Sequence, residues 1–493
     1  MELSYKDLIN NCVIDCAHDQ LAVTCSVDTK DRGGVKKLLG LSAECKVYTA
    51  EAMKGEAKIT GKACYKVIYI DRDNKTAGLD YFCDFSESIV GDIAPQDILN
   101  VCHSVVDVSG RIEDDVITLT AICDFVIKVI GKHSGKTIDV ANEIYTNREL
   151  QETVELSPLK EDTFEVSVEE ESGTSVDKVL YFGTTPLITA VTKSDVGALV
   201  EGVVQTEIVY LGENGVRGKS FGIPFSEEIE ADNLADVKAT IKNSRLVLSG
   251  DSANNVFEVE VFVTLSGYDV AVRDVELVVD AFSPEKQIEV THDFLPCKRY
   301  VGSKTFDFPV STEVEGDNLP ENAAVLATPV LRVNIANALA GENEVTLEGL
   351  AVATILYMNE DRLDSVQVEL PFSVTEKVDG ITPTDTLTAK ALITDFTATF
   401  MSGIITLRAM LKARVCIYKT YSLKWVSQVK EGEEKPRNNS GISIYYVNPD
   451  DSIWDIAKAV NMSPEEVEST NPELTTPTNE TRRVIVYRKR QTE

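Results

Sequence analysis

The stretch Gly61-Lys62-Ala63-Cys64-Tyr65-Lys66-Val67-Ile68-Tyr69 returns as Gly202-Val203-Val204-Gln205-Thr206-Glu207-Ile208-Val209-Tyr210. It returns again as Gly349-Leu350-Ala351-Val352-Ala353-Thr354-Ile355-Leu356-Tyr357. The tyrosine follows the glycine by eight residues each time. An aromatic-serine pair comes next, as Asp84-Phe85-Ser86-Glu87, Pro224-Phe225-Ser226-Glu227 and Pro371-Phe372-Ser373, at 15 or 16 residues beyond the tyrosine. Upstream, Val35-Lys36-Lys37-Leu38-Leu39, Val176-Asp177-Lys178-Val179-Leu180 and Ala323-Ala324-Val325-Leu326 each begin 26 residues before the glycine. Three markers in one register define a repeat whose copies lie 141 and 147 residues apart. That spacing is domain-sized, far above a solenoid period, so each copy owns a core.

Within a copy the period is two. Phe257-Glu258-Val259-Glu260-Val261-Phe262-Val263 alternates apolar and polar residues, as does Ile405-Thr406-Leu407-Arg408-Ala409-Met410-Leu411-Lys412-Ala413-Arg414-Val415. Val116-Ile117-Thr118-Leu119 holds the same place in the first copy. β-Branched residues at this spacing predict strands with one buried face. Turn signals such as Glu213-Asn214-Gly215 and Asp71-Arg72-Asp73-Asn74 separate them. The expectation is about seven or eight strands per copy, a β-sandwich or open barrel. The recurring glycine suits a bulge or a close backbone approach, and the recurring Phe-Ser reads as core plus turn. So many strands leave sheet edges, which invite pairing between chains.

The 493 residues carry 80 acidic and 48 basic side chains, a net charge of −32. That field repels nucleic acid and anionic lipid. With 43% apolar and 26% charged residues, the composition is that of a globular chain. The N-terminus Met1-Glu2-Leu3-Ser4-Tyr5-Lys6-Asp7 shows no basic-then-apolar leader, and no run of about 18 apolar residues predicts a membrane span. The expectation is a cytoplasmic protein whose ten cysteines are mostly reduced.

The pattern changes after Tyr421. Residues 427–442 are polar and turn-rich and read as a linker. Tyr445-Tyr446-Val447 predicts a short strand and Asn448-Pro449-Asp450 a turn, with Asp451 or Ser452 capping a helix. Ile453, Ile456, Ala457 and Val460 share one helical face. Ser463 as N-cap, Pro464 in the first turn and Glu466 closing a capping box start a second helix. Asn471-Pro472 stops it, and Val484-Ile485-Val486-Tyr487 supplies a closing strand. The basic end, Arg482, Arg483, Arg488, Lys489 and Arg490, either steers an acidic partner or protects an edge strand.

This βααβ module resembles a LysM domain. Tyr445, Val447, Asp451, Ser452, Ile453, Trp454, Ile456 and Ala457 match the first half of that family's pattern. Ser463, Glu465, Glu466, Val467, Asn471 and Pro472 match the second. The resemblance implies a shallow groove for N-acetylglucosamine polymers between the turn before the first helix and the turn before the last strand. Its partner- or glycan-binding residues are then Asp450, Asp451, Ser452, Ile453, Trp454, Asn471, Pro472, Pro477 and Asn479. Asp450 stands where the family has glycine, and Thr475-Thr476-Pro477-Thr478-Asn479-Glu480 also lacks one. An added Cβ narrows the groove where backbone approaches sugar. Trp454 reads either as packing beside its helix or as an exposed anchor.

Tandem β units with a terminal LysM module resemble the SPOCS-domain proteins of spore-forming Firmicutes. The resemblance rests on the Gly…Tyr…Pro-Phe-Ser repeat, from which the first copy departs with Cys83-Asp84 before Phe85. It implies a place in coat assembly around the forespore, in the mother-cell cytosol. It also implies that the LysM module binds a coat protein, an ATPase of the SpoIVA type. The expected organisation is three tandem β-sandwich or barrel-like units (1–150, 151–295 and 296–426), a linker at 427–442 and a LysM module at 443–490.

Chemistry-bearing motifs are sparse. The four histidines, His18, His103, His133 and His292, lie in different segments without a His-Glu-x-x-His pattern. Gly302-Ser303-Lys304-Thr305 echoes the end of a phosphate loop but lacks its first glycine, and no Gly-x-Ser-x-Gly elbow occurs. Cys12, Cys16, His18 and Cys25 offer four soft groups, weighed as a zinc site against buried or free thiols. No catalytic residue, metal or cofactor is assigned. The expectation is a non-catalytic assembly adaptor, with a peptidoglycan- or chitin-binding protein as the alternative and an enzyme with a site hidden in a β unit as the third reading.

Overall fold

Alternation at period two builds long antiparallel strands, and the chain is mainly β. The structure, a computed structural model, describes residues 2–251, 254–315, 319–360, 362–436, 441–477 and 481–487. A first block holds β1 (Glu2–Asp28), β2 (Lys37–Met53), β3 (Glu56–Ile70), β4 (Thr76–Val90), β5 (Ile98–Glu113) and β6 (Val116–Asn142). The second holds β7 (Tyr145–Pro158), β8 (Asp162–Glu171), β9 (Val176–Lys193), β10 (Ala198–Gly212), β11 (Gly215–Ile229), β12 (Leu234–Asp251) and β13 (Asn254–Phe282). The third holds β14 (Lys286–Glu315), β15 (Ala324–Ala340), β16 (Glu344–Asn359), β17 (Arg362–Lys377), β18 (Thr386–Met401) and β19 (Ile404–Glu434).

The strands are fewer and longer than the turn signals suggest: six, seven and six. In the first and third blocks a long opening strand pairs with a long closing one, β1 with β6 and β14 with β19. In the second, β7 and β8 share that place along β13. Between them each block sets a three-stranded antiparallel sheet, β2-β3-β4, β9-β10-β11 or β15-β16-β17. The closing strands of the first two blocks join one larger sheet, in the order β12-β13-β7-β1-β6-β5 with β8 also on β13. In each block the inner faces bury one apolar core, around Tyr65 and Phe125, Val204 and Phe257, and Ile355 and Leu411.

The recurring glycine lies on the central strand of each three-stranded sheet, paired in register with the recurring phenylalanine: Gly61 with Phe85, Gly202 with Phe225, Gly349 with Phe372. The ring lies over the glycine. A Cβ there would stand 2.6 Å from Phe85 Cζ, 2.1 Å from Phe225 Cζ or 2.6 Å from Phe372 Cζ. It would also crowd a carbonyl oxygen of the neighbouring strand, 2.3 Å away at Lys46, 2.6 Å at Leu187 and 2.4 Å at Asn334. Those neighbours bulge beside the glycine, leaving Tyr48, Thr189 and Ala336 outside the ladder. The serine after the phenylalanine sits inside β4, β11 or β17, so the turn expected at Phe-Ser is corrected to mid-strand.

Outside the block cores, Ile68, Val209 and Leu356, each seven residues past its glycine, gather with Leu39, Leu180 and Ala327 in one apolar cluster joining all three blocks. A second meeting point is polar. Lys128 Nζ of β6 lies 2.9 and 2.8 Å from the Asp236 carboxylate oxygens of β12 and 2.8 Å from Tyr418 Oη of β19, and the Tyr418 hydroxyl donates to Asp236. Burial alone would neutralise both ions. Their mutual charge and hydrogen bonds instead hold Asp236 below the usual carboxylate range and Lys128 above its ordinary value.

One further reading changes. The expected linker starts too early: β19 continues to Glu434, Val426 and Val429 are buried, and residues 435–441 separate it from the terminal module. Gly302-Ser303-Lys304-Thr305 lies within β14, with no helix to receive a phosphate. Cys45 of β2 and Cys123 of β6 form a disulfide. Among the described residues, no helix is long and apolar enough to cross a membrane.

Candidate partner-binding site

The terminal module runs β20 (Ile442–Val447), α1 (Ile453–Val460), α2 (Pro464–Thr470) and β21 (Arg482–Tyr487). Both helices begin at full capping boxes. Ser452 Oγ accepts from Asp455 N at 3.2 Å while Asp455 Oδ2 accepts from Ser452 N at 2.9 Å, and Ser463 and Glu466 do the same for α2. Helices this short draw their stability from packing. Ile456, Ala457, Val460, Met462 and Val467 close on Val447, Val484 and Val486 of the antiparallel pair β20–β21.

Most of the sequence-predicted site residues are committed inside the protein. Ser452 is a cap, and Ile453 packs on the module's core. Asp451 Oδ2 accepts from Asn448 N at 2.9 Å, holding the preceding turn. The Asn471 amide is consumed between α2 and β21: it donates to Val467 O at 3.0 Å and Ile485 O at 2.9 Å and accepts from Ile485 N at 2.8 Å. Asp450, Pro472 and Pro477 are exposed, and Asp450 takes the left-handed conformation that glycine adopts freely, with φ of 70°. Asn479 lies outside the described residues, as do Arg488, Lys489 and Arg490.

Of the two readings of Trp454, packing holds over exposed anchor, with the body as the packing partner. Its indole N–H donates to Asp280 Oδ2 on β13 at 2.8 Å, and the Lys458 ammonium reaches the same oxygen at 2.6 Å. Its ring meets Phe282 edge-on, with centroids 5.0 Å apart, and Phe282 in turn contacts Tyr145 at 5.3 Å. Burial alone would raise the pKa of Asp280, but the hydrogen bonds from Lys458 and Trp454 hold it below the usual carboxylate range. Lys435 Nζ adds a bond to Ser283 O at 2.9 Å.

An exposed apolar face lies on β20 and β21. Ile442, Ile444 and Tyr446 share the outer face of β20, and Ile485 of β21 stands opposite Ile444. All four are more than half exposed, at 51–63%. The Arg483 guanidinium sits 6.0 Å from the centre of the Tyr446 ring, at the edge of this patch. The motif reading missed it. The signal is in the strand itself: Ile442, Ile444 and Tyr446 make one face wholly apolar while Tyr445 and Val447 stand on the other, yet a two-stranded sheet with helices on one side buries only one.

Among the described residues, the cysteines and histidine weighed as a zinc site do not converge. Cys16, His18 and Cys25 are strung along extended β1, where about 3.3 Å per residue keeps them apart; the side chain of Cys12 is outside the described set. His18 Nε2 lies 2.7 Å from Asp124 Oδ1. His103 contacts Cys45 O at 2.7 Å, and burial pushes its pKa down to about 4. His292 contacts Val279 O at 3.0 Å. Among the described residues no three His, Cys, Asp or Glu side chains gather as metal ligands would.

Residues 331–401 match a family model described as "SipL, SPOCS domain". The matched stretch runs from within β15 to the end of β18 and holds Gly349 and Phe372. No curated protein and no solved structure matches the chain.

Proposed function

We propose that this chain is a non-catalytic adaptor of spore coat assembly, similar to the coat morphogenetic protein SipL. In this reading three SPOCS-type units form a scaffold, and the terminal module is a LysM domain turned to protein binding. Its partner is a coat ATPase of the SpoIVA type at the forespore surface, met in the mother-cell cytosol. The match at residues 331–401 supports the sporulation setting. The Gly–Phe pairing in all three blocks supports extending the SPOCS reading beyond the matched stretch.

The observation that carries the binding role is the outer face of Ile442, Ile444, Tyr446 and Ile485. Four large apolar side chains held in water on a rigid pair of strands favour burial against another protein. A glycan reader needs free polar groups at its turns. Here Asp451, Ser452 and Asn471 spend theirs internally.

In sporulating cells a fluorescent fusion lacking residues 441–493 should stay dispersed while the full chain encircles the forespore. Unchanged localisation would remove the adaptor reading. Co-sedimentation with insoluble peptidoglycan by the full chain would favour the sugar-binding alternative instead.

A further inference from the structure

We propose that the extended segment Asp280-Ala281-Phe282 at the end of β13 is a ligand bound in cis to the Trp454 face of the terminal module. We further propose that this face accepts in trans a partner segment of the same chemistry: an extended strand with a carboxylate two residues ahead of an aromatic ring. Three features of one contact define that chemistry. The indole N–H and the Lys458 ammonium converge on a single oxygen of Asp280, at 2.8 and 2.6 Å. The Phe282 ring meets the indole edge-on at 5.0 Å. Both side chains leave the same extended stretch of backbone, two residues apart. Lys458 and Lys435 lie together at this face, and burial and the Lys458 charge lower the pKa of Lys435, so the bare face prefers an acidic occupant.

The contact is built to exchange. Among the described residues the module's core is almost wholly its own, with Phe282 and Tyr145 contributed by the body. The Lys458–Asp280 pair is partly open to solvent, where salt and competing carboxylates act on it. Residues 435–441 tether the module, so a released module stays close and the cis segment competes at high effective concentration. Ile442, Ile444, Tyr446 and Ile485 are more than half exposed and take no part in this contact. The inference therefore stands apart from the adaptor reading.

The test uses the full chain and a fluorescent peptide copying residues 275–284. Asp280→Ala should bind the peptide about two- to fivefold more tightly than wild type, read by fluorescence anisotropy. A peptide with alanine in place of its aspartate should lose that gain, and Ile444→Arg should not change it. In wild type, excess peptide should raise the iodination of Tyr145, which packs against the module's core, in a dose-dependent manner, a readout that needs no variant. Equal peptide affinity of wild type and Asp280→Ala, or equal Tyr145 reactivity at every peptide concentration, would overturn the proposal. Binding that ignores the peptide's carboxylate would overturn it as well.

Discussion

Two aspartates do similar work in very different surroundings. Asp236 accepts from Lys128 and Tyr418 where the three blocks meet, while Asp280 accepts from Lys458 and Trp454 where the body meets the terminal module. The first pair is shielded, with Lys128 and Asp236 side chains 7% and 14% exposed. In the second, Lys458 and Asp280 are 46% and 23% exposed. Removing one partner of a buried pair strands the other charge in a medium that cannot solvate it. Removing one partner of a half-exposed pair lets water replace it. The same donor-acceptor count therefore yields a permanent joint inside the body and a releasable one at its edge.

Breaking the buried joint should have the largest effect. Lys128→Met, which leaves Asp236 without its cation, is expected to cost about 3–5 kcal/mol in urea unfolding. A loss below about 1 kcal/mol would place the two joints in one class and end the comparison. Next comes packing within a block. Gly202→Ala drives a methyl into Phe225 and the Leu187 carbonyl, with an expected loss of about 1–3 kcal/mol. The Trp454 contact should survive, as judged by unchanged iodination of Tyr145, which packs against the module's core.

The module should respond separately. Ser463→Ala removes the N-cap of α2, lowering the module's own stability by about 1 kcal/mol while the main body transition stays put. Asp280→Asn is the mildest change, weakening docking by less than about 1 kcal/mol because the pair is screened. Its pH dependence gives the sign. The folded pKa of Asp280 is depressed, so its contribution is present above the unfolded aspartate pKa and fades as pH falls through the folded value. Amide exchange in α1 should therefore quicken on acidification in wild type, and quicken less in Asp280→Asn.

The body was largely legible because strand alternation is local and survives in the sequence. The repeat glycines could be read as close-approach positions, since little besides a missing Cβ explains a glycine inside a β-branched run. The capping boxes at Ser463 and Glu466 are equally local and occur where the pattern places them. Residues 427–434 misled because their polar side chains face solvent while the backbone continues the β14–β19 ladder, with Val429 opposite Val290. Phe-Ser misled because serine favours turns, whereas here it follows a ring fixed over a glycine in the interior of the ladder. The docking of Trp454 was not legible at all. Its acceptor lies 174 residues earlier in the chain, and no local pattern encodes a contact of that range.

The most direct test of the account is a binding titration between the purified full chain and a purified coat ATPase of the SpoIVA type, comparing wild type with Ile444→Arg and Pro477→Ala. The account predicts that Ile444→Arg weakens binding at least tenfold with the fold intact by circular dichroism, while Pro477→Ala binds as wild type does. Wild-type affinity in Ile444→Arg, with the loss falling on Pro477→Ala instead, would contradict it and return recognition to the turns.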